Sequence, residues 1–123
     1  MFNIFIVLGS IGAAIGVALG AFGAHGLEGR LTEHYLKIYQ TGVQYHMYHS
    51  LGLILVGLVS WKGIETSLVH WAGWLLVVGI ILFSGSLYIL AVTGISKLGM
   101  ITPLGGVAFI VGWILLAVSM FRA

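Results

Sequence analysis

The chain has 123 residues, of which 60% are hydrophobic and 7% charged, with a mean hydropathy of +1.15; this excludes a water-soluble domain and leaves an integral membrane protein. Five Lys and Arg stand against three acidic residues, and these few charges are scattered, so no basic patch for nucleic acid exists. The absence of cysteine excludes disulfides, thiolate catalysis, iron–sulfur ligation and c-type haem attachment.

Residues 2 to 24 form the first apolar run. They lack the charged leading segment of a secretory signal, and the run exceeds a typical signal core, so it reads as an uncleaved first span, Phe2 to Ala24. Within it "GAAIGVALG" sets Gly12, Gly16 and Gly20 on one stripe at i+4 spacing, continued by Ala24. Such a stripe lets another backbone approach closely, in this chain or in a second copy.

The following link, Gly26 to Thr41, carries most of the charge. Apolar positions at Leu31, Tyr35, Ile38 and Gly42, with Glu33 and Lys37 paired at i,i+4, predict a short amphipathic helix lying at the membrane interface. The second span is Gly42 to Trp61, the third Leu68 to Thr93 and the fourth Pro103 to Phe121, each long enough to cross about 30 Å of hydrocarbon. Short links at 62 to 67 and 94 to 101 force antiparallel neighbours. Thr102 and Pro103 read as an N-cap and first-turn pair opening the last helix. The predicted fold is all-α: a four-span, up-down-up-down transmembrane bundle forming a single membrane domain over residues 1 to 123, with the short interfacial helix between spans one and two. Nothing is left over for a soluble domain.

Alternating direction brings one end of each span to the same side. There lie His25, Gln44, Tyr45, His46, Tyr48, His49, Ser84, Ser86, Tyr88, Thr102 and Lys97, among several glycines. The opposite half is apolar, with Trp61, Trp71 and Trp74 as an aromatic belt. This asymmetry predicts a cavity or binding surface open to one side. Arg30, Lys37 and Lys97 on the polar side outweigh Lys62 and Arg122 on the other, which tilts the polar side toward the cytoplasm.

The histidines admit several chemistries. His46 and His49 at i,i+3 could hold a metal with His25 as a third ligand, but no carboxylate falls in the spans to orient the rings. Haem would need His25 paired across helices with His46 or His49, and a quinone or other small amphiphile would find hydrogen bonds beside an apolar wall. A proton path lacks an intramembrane carboxylate or lysine, and Ser84 and Ser86 lack a carboxylate to complete a nucleophilic triad. Against all of these stands a plain alternative, in which the polar residues satisfy one another between helices.

The blocks "GAFGAHGL" (20 to 27), "YHMYHSL" (45 to 51), "FSGSLY" (83 to 88), "ITPLGG" (101 to 106) and "GW" (112 to 113) resemble the small membrane family known as domain of unknown function 423, whose eukaryotic relatives are called transmembrane protein 256. The resemblance runs over almost the whole chain. It implies a four-span, multi-pass protein of the bacterial plasma membrane and carries over no catalytic or binding residue.

The sequence reading is therefore of a non-enzymatic membrane protein with no cofactor, no metal and no catalytic residue. Its ligand or partner face is His25, Tyr45, His46, Tyr48, His49, Ser84, Ser86 and Tyr88; its helix-packing residues are Gly12, Gly16 and Gly20. Its partners are the lipid bilayer, a second copy of itself, another membrane protein or a small amphiphile. The alternatives are a homo-oligomeric small transporter or channel and a quinone- or haem-binding accessory protein.

Overall fold

The structure is a computed structural model that describes residues 2–63 and 67–122. It is all-α, with four helical rods. The first is α1 (Phe2–Phe22), prolonged by a π turn over Gly23–Leu27; the second is α2 (Glu33–Trp61). In the third, α3 (Ser67–Gly79) runs through a π turn at Ile80–Ser84 into α4 (Gly85–Thr93). A short 3₁₀ segment, Ser96–Met100, leads into the fourth, α5 (Thr102–Phe121). Among the described residues, three stretches are long and apolar enough to cross a membrane: Ile4–Leu27, Ser67–Thr93 and Ser96–Phe121. With 29 residues α2 has the length, but Gln44, Tyr45, His46, Tyr48 and His49 make its first half too polar to qualify on hydropathy.

Local chemistry sets the boundaries. Thr32 caps α2, its Oγ1 accepting the Tyr35 amide at 3.3 Å. Gly94 ends α4 in the left-handed region at φ 72°, with its amide on the Leu90 carbonyl at 2.7 Å. From Glu33 the helix continues without a break, so the separate amphipathic helix expected ahead of Gly42 is instead the opening of α2. No proline or left-handed residue interrupts residues 33 to 42, and Tyr88 packs over Gly42. The N-cap expected at Thr102 is also corrected. Thr102 is already helical, the cap position falls to Ile101, and the Thr102 hydroxyl is drawn off to Ser86 at 2.6 Å. The short link expected at 62 to 67 lies partly outside the described residues.

Glycine seams bring the helices together. Along α1, Gly9 and Gly12 face Ser50, Gly16 faces Met47 and Gly23 faces Tyr39, so residue numbers fall on α2 as they rise on α1. The same opposed order relates α2 to the third rod, through Gly42 with Tyr88 and Gly52 with Leu76. It relates the third rod to α5 as well, through Gly105 with Phe83, Gly79 with Phe109 and Gly112 with Leu76. The expected packing residues Gly12 and Gly16 are part of the first seam, and Gly20 touches it at Val43. Gly9 extends it by a turn: a Cβ there would meet the Ser50 carbonyl oxygen at 2.6 Å.

Two apolar clusters flank the polar residues. Phe5, Leu53, Val56, Val69, Leu76 and Phe109 form one, and Leu27, Tyr39 and Ala91 form the other. Trp61 and Trp71 lie on the outside, as a belt requires. Trp74 instead packs edge-on to Phe5 with ring centroids 5.5 Å apart and donates its indole N–H to His70 Nε2 at 3.1 Å. It serves packing as much as any belt.

Candidate functional site

The polar half is organised by donors on one helix reaching carbonyls on another. His46, buried at the α1–α2 seam, has Nε2 at 2.8 Å from the Gly12 carbonyl and Nδ1 at 2.8 Å from the Tyr88 hydroxyl. A carbonyl only accepts, so Nε2 carries the proton. In the neutral ring Nδ1 then accepts from Tyr88, giving a Tyr88 to His46 to Gly12 chain that ties α4, α2 and α1. Ser84, fully buried in the π turn, donates to the Gly42 carbonyl at 2.7 Å. Tyr39 donates to the Leu19 carbonyl at 2.6 Å, just ahead of the first π turn. Burial pushes the Tyr39 phenol above the ordinary tyrosine range, so this group stays a donor.

The remaining expected residues fall in other places. His49 donates from Nδ1 to the Tyr45 carbonyl one turn back at 2.7 Å, and its ring lies flat on Phe109, with centroids 3.5 Å apart and planes 9° apart. Tyr45 packs on Phe83 at 4.6 Å and edge-on to Tyr48 at 5.9 Å. Both tyrosines have exposed side chains, Tyr48 at 57%. Ser86 donates to the Phe83 carbonyl at 2.9 Å and so accepts from Thr102 at 2.6 Å, which joins α4 to the start of α5. His25, in the first π turn, is exposed and takes part in none of these bonds. His46 and Tyr88 thus meet between the helices, Ser84 ties the third rod to α2 at Gly42, Tyr45 and His49 face α5, Tyr48 is exposed beside Tyr45, and His25 stands apart. Both ring nitrogens of His46 are engaged, and no group of three metal-ligating side chains occurs among the described residues.

Three features escape a reading of the sequence by residue type. Ser50 is fully buried with an unpartnered hydroxyl, set against Gly12. A cleft of about 280 Å³ opens between the end of α1 and the start of α2, lined by Gly20, Gly23 and Ala24 on one side and Tyr39, Gln40, Val43 and Gln44 on the other. A second groove of about 240 Å³, almost wholly apolar, runs between α1, α2 and the third rod, with Gly12 and His46 in its lining. The i,i+4 spacing of Gln40 and Gln44 was the available signal for the cleft, and the placement of Gly9 in register with Gly12 and Gly16 was the signal for the longer seam.

The family model described as Protein of unknown function (DUF423) matches residues 19–106. The UPF0382 membrane protein YwdK of Bacillus subtilis (strain 168) is 60% identical over 117 residues, covering 95% of both chains. A UPF0382 membrane protein of Staphylococcus haemolyticus (strain JCSC1435) is 52% identical over 120 residues, 98% of this chain and 97% of the relative. One from Staphylococcus aureus (strain bovine RF122 / ET3-1) is 51% identical with the same coverage. No solved structure gives a significant match. A family match across 19–106, near-full-length relatives and three apolar spans converge: the chain belongs to the DUF423 family and is a bacterial membrane protein with multiple helical spans.

Proposed function

We propose that the protein is a four-span, up-down-up-down bundle that works without catalysis, binding a small amphiphile or a membrane partner at its polar half. In this reading α2 supplies the second span, from Gly42 to Trp61, which brings the number to four, and its opening turns from Glu33 lie in the interface. The opposed residue order along every seam supports the topology, and the Thr32 cap with the exposed Glu33 and Lys37 supports the interfacial start. His46, Tyr88, Ser84 and Ser86 act as the scaffold of the binding half, and His25, Tyr45 and Tyr48 as its accessible polar groups.

The observation that carries the reading is a contrast within one half of the molecule. His46, Tyr88, Ser84, Ser86 and Tyr39 direct their hydrogen bonds into the protein, yet a cleft of about 280 Å³ bordered by the last of them, Tyr39, stays open. Polar groups already committed to structure hold a shape, and the shape they hold contains a vacancy of small-ligand size. Native mass spectrometry of protein extracted gently from membrane tests this. A small amphiphile retained on the protein through delipidation is the expected result; a bare monomer would overturn the reading.

A homo-oligomeric transporter or channel is the second reading. It is favoured by the first candidate span, Ile4–Leu27, which has a smaller share of buried residues than the other two and so leaves residues free to face a second copy. Ligand-free oligomers in the same spectra would select it.

A further inference from the structure

We propose that the α1–α2 cleft takes the head of a single-chain membrane amphiphile that is uncharged and hydrogen-bonding, gripped by the carboxamides of Gln40 and Gln44. This deepens the binding reading above and rests on it. The glutamines sit one turn apart on the same face of α2 and both line the cleft. Both are exposed, and neither carboxamide has a hydrogen-bond partner among the described residues. Each offers two N–H donors and one carbonyl acceptor, the complement of a hydroxyl, ester or ring carbonyl.

Depth supports the assignment. Counted back from Trp61 at 1.5 Å per residue, Gln44 lies about 25 Å along α2 and Gln40 about 31 Å. Against a hydrocarbon core of about 30 Å, the pair straddles the boundary where the head of an amphiphile resides. A Gln44 carboxamide inside that boundary without a partner carries a desolvation penalty, which a polar head would remove.

The lining selects the chemistry. No charged residue borders the cleft, and the Tyr39 hydroxyl is already spent on Leu19. Lys37, three residues before Gln40, is not part of that lining and has Glu33 as its near neighbour, the ammonium 3.9 Å from the carboxylate. A phosphate would call for arginine or lysine donors. Gly20 opens the α1 wall opposite Val43, and about 280 Å³ stands at the small end of ligand pockets. One compact head fits, and two diverging acyl chains do not.

The test uses the full chain in phosphatidylcholine nanodiscs with two diazirine probes of equal chain length, a monoacylglycerol and a lysophosphatidic acid. The monoacylglycerol should label residues 20 to 24 and 39 to 44 saturably, and a Gln40→Leu, Gln44→Leu double variant should lower that labelling about tenfold, the loss of two hydrogen bonds. Gln40→Asn with Gln44→Asn, which keeps the amides, should retain more labelling than the leucine pair; helicity and monodispersity must match the parent in each. Equal or stronger labelling by the phosphate probe, or labelling indifferent to the leucine variant, would overturn the proposal. So would crosslinks joining the clefts of two copies. A retained amphiphile that labels α3 to α5 instead would sink this site and leave the binding reading standing, whereas absence of any retained amphiphile or label would end both.

Discussion

The α1–α2 seam makes a graded prediction about adding one methyl group. A Cβ at Gly9 would lie 2.6 Å from the Ser50 carbonyl oxygen, 2.8 Å from Ile54 Cγ1 and 3.0 Å from the Ile54 amide nitrogen. Two of those three atoms are backbone and cannot rotate away, so α1 must shift along several turns. At Gly12 the nearest atom is Ser50 Oγ, also at 2.6 Å, but a turn about χ1 moves it and the next contact is an ordinary 3.4 Å. At Gly20 the nearest atom is Val43 Cγ1 at 3.4 Å, ordinary contact from the outset. Overpacking costs about 1–3 kcal/mol where the surroundings cannot yield, and alanine gains up to about 1 kcal/mol over glycine inside a helix. Gly9→Ala should therefore destabilise by about 2 kcal/mol, Gly12→Ala by about 1 kcal/mol, and Gly20→Ala by about zero or less. Reversible unfolding of the purified protein in mixed micelles, titrated with a denaturing detergent and followed by circular dichroism, gives the three values. If Gly20→Ala costs as much as Gly9→Ala, the seam is not where these contacts put it.

Other expected outcomes follow from single contacts. Tyr88→Phe removes the donor to His46 Nδ1 and should cost about 1 kcal/mol in the same assay, with most of that loss absent in a His46→Leu background; independent effects would show that the two side chains are not coupled. Ser50→Ala should be neutral or stabilising, because it deletes a buried hydroxyl without a partner, and it should relieve Gly12→Ala; a loss above about 1 kcal/mol would mean that the hydroxyl is bonded after all. Gly105→Ala, whose Cβ would collide with the Phe83 backbone, should be at least as damaging as Gly9→Ala and should loosen α5 from the third rod, visible as faster hydrogen exchange in α5.

Helix existence was legible because hydropathy speaks directly to it. The apolar runs ending near Ala24, Thr93 and Phe121 reappear as helices ending at Leu27, Thr93 and Phe121. The start of α2 was less legible. The charge that marked residues 26 to 41 as a link says nothing about whether the backbone pauses at Gly42, and Tyr88, which packs over Gly42, lies far away in sequence. Thr102 shows the same limit, since a serine on another helix outbid its local capping role. Within the polar half, residue type marked His46, His49, Ser84 and Tyr88 as noteworthy. It could not tell that His49 bonds within its own helix while His46 bonds across two, because i,i+3 spacing points them to adjacent faces with different neighbours. Gln40 drew no notice at all. Its interest comes from Gly20 and Gly23 opposite, a relation that exists only once α1 and α2 are in register.

What sets that register is a pair of donors. Tyr39 and His46 are one heptad apart on α2, and the carbonyls they reach, Leu19 and Gly12, are one heptad apart on α1. Two helices in lipid gain little from hydrophobic burial against each other, so a slip by one turn would otherwise be cheap. Here a slip would still leave carbonyls along α1, but it would carry Gly12 and Gly16 off Ser50 and Met47 and close the gap through which the phenol and the imidazole reach them. The glycines make this possible, because Gly12 and Gly16 bring the backbones close enough for side chains to reach across. The acceptors are backbone carbonyls, whose spacing follows from helix geometry and not from side-chain identity, so the register is written in the two donors and the glycines together. The Gln40 and Gln44 cleft lies on that same stretch of α2, one residue past Tyr39 and two residues before His46. Removing either donor should therefore disturb the cleft; Tyr39 also lines it, but Tyr39→Phe keeps the ring and deletes only the bond to Leu19, and should lower amphiphile retention at the cleft at an interhelical cost of only about 0.6 kcal/mol in stability. Retention unchanged with the Tyr39 bond deleted would show that the cleft does not depend on the register the donors impose.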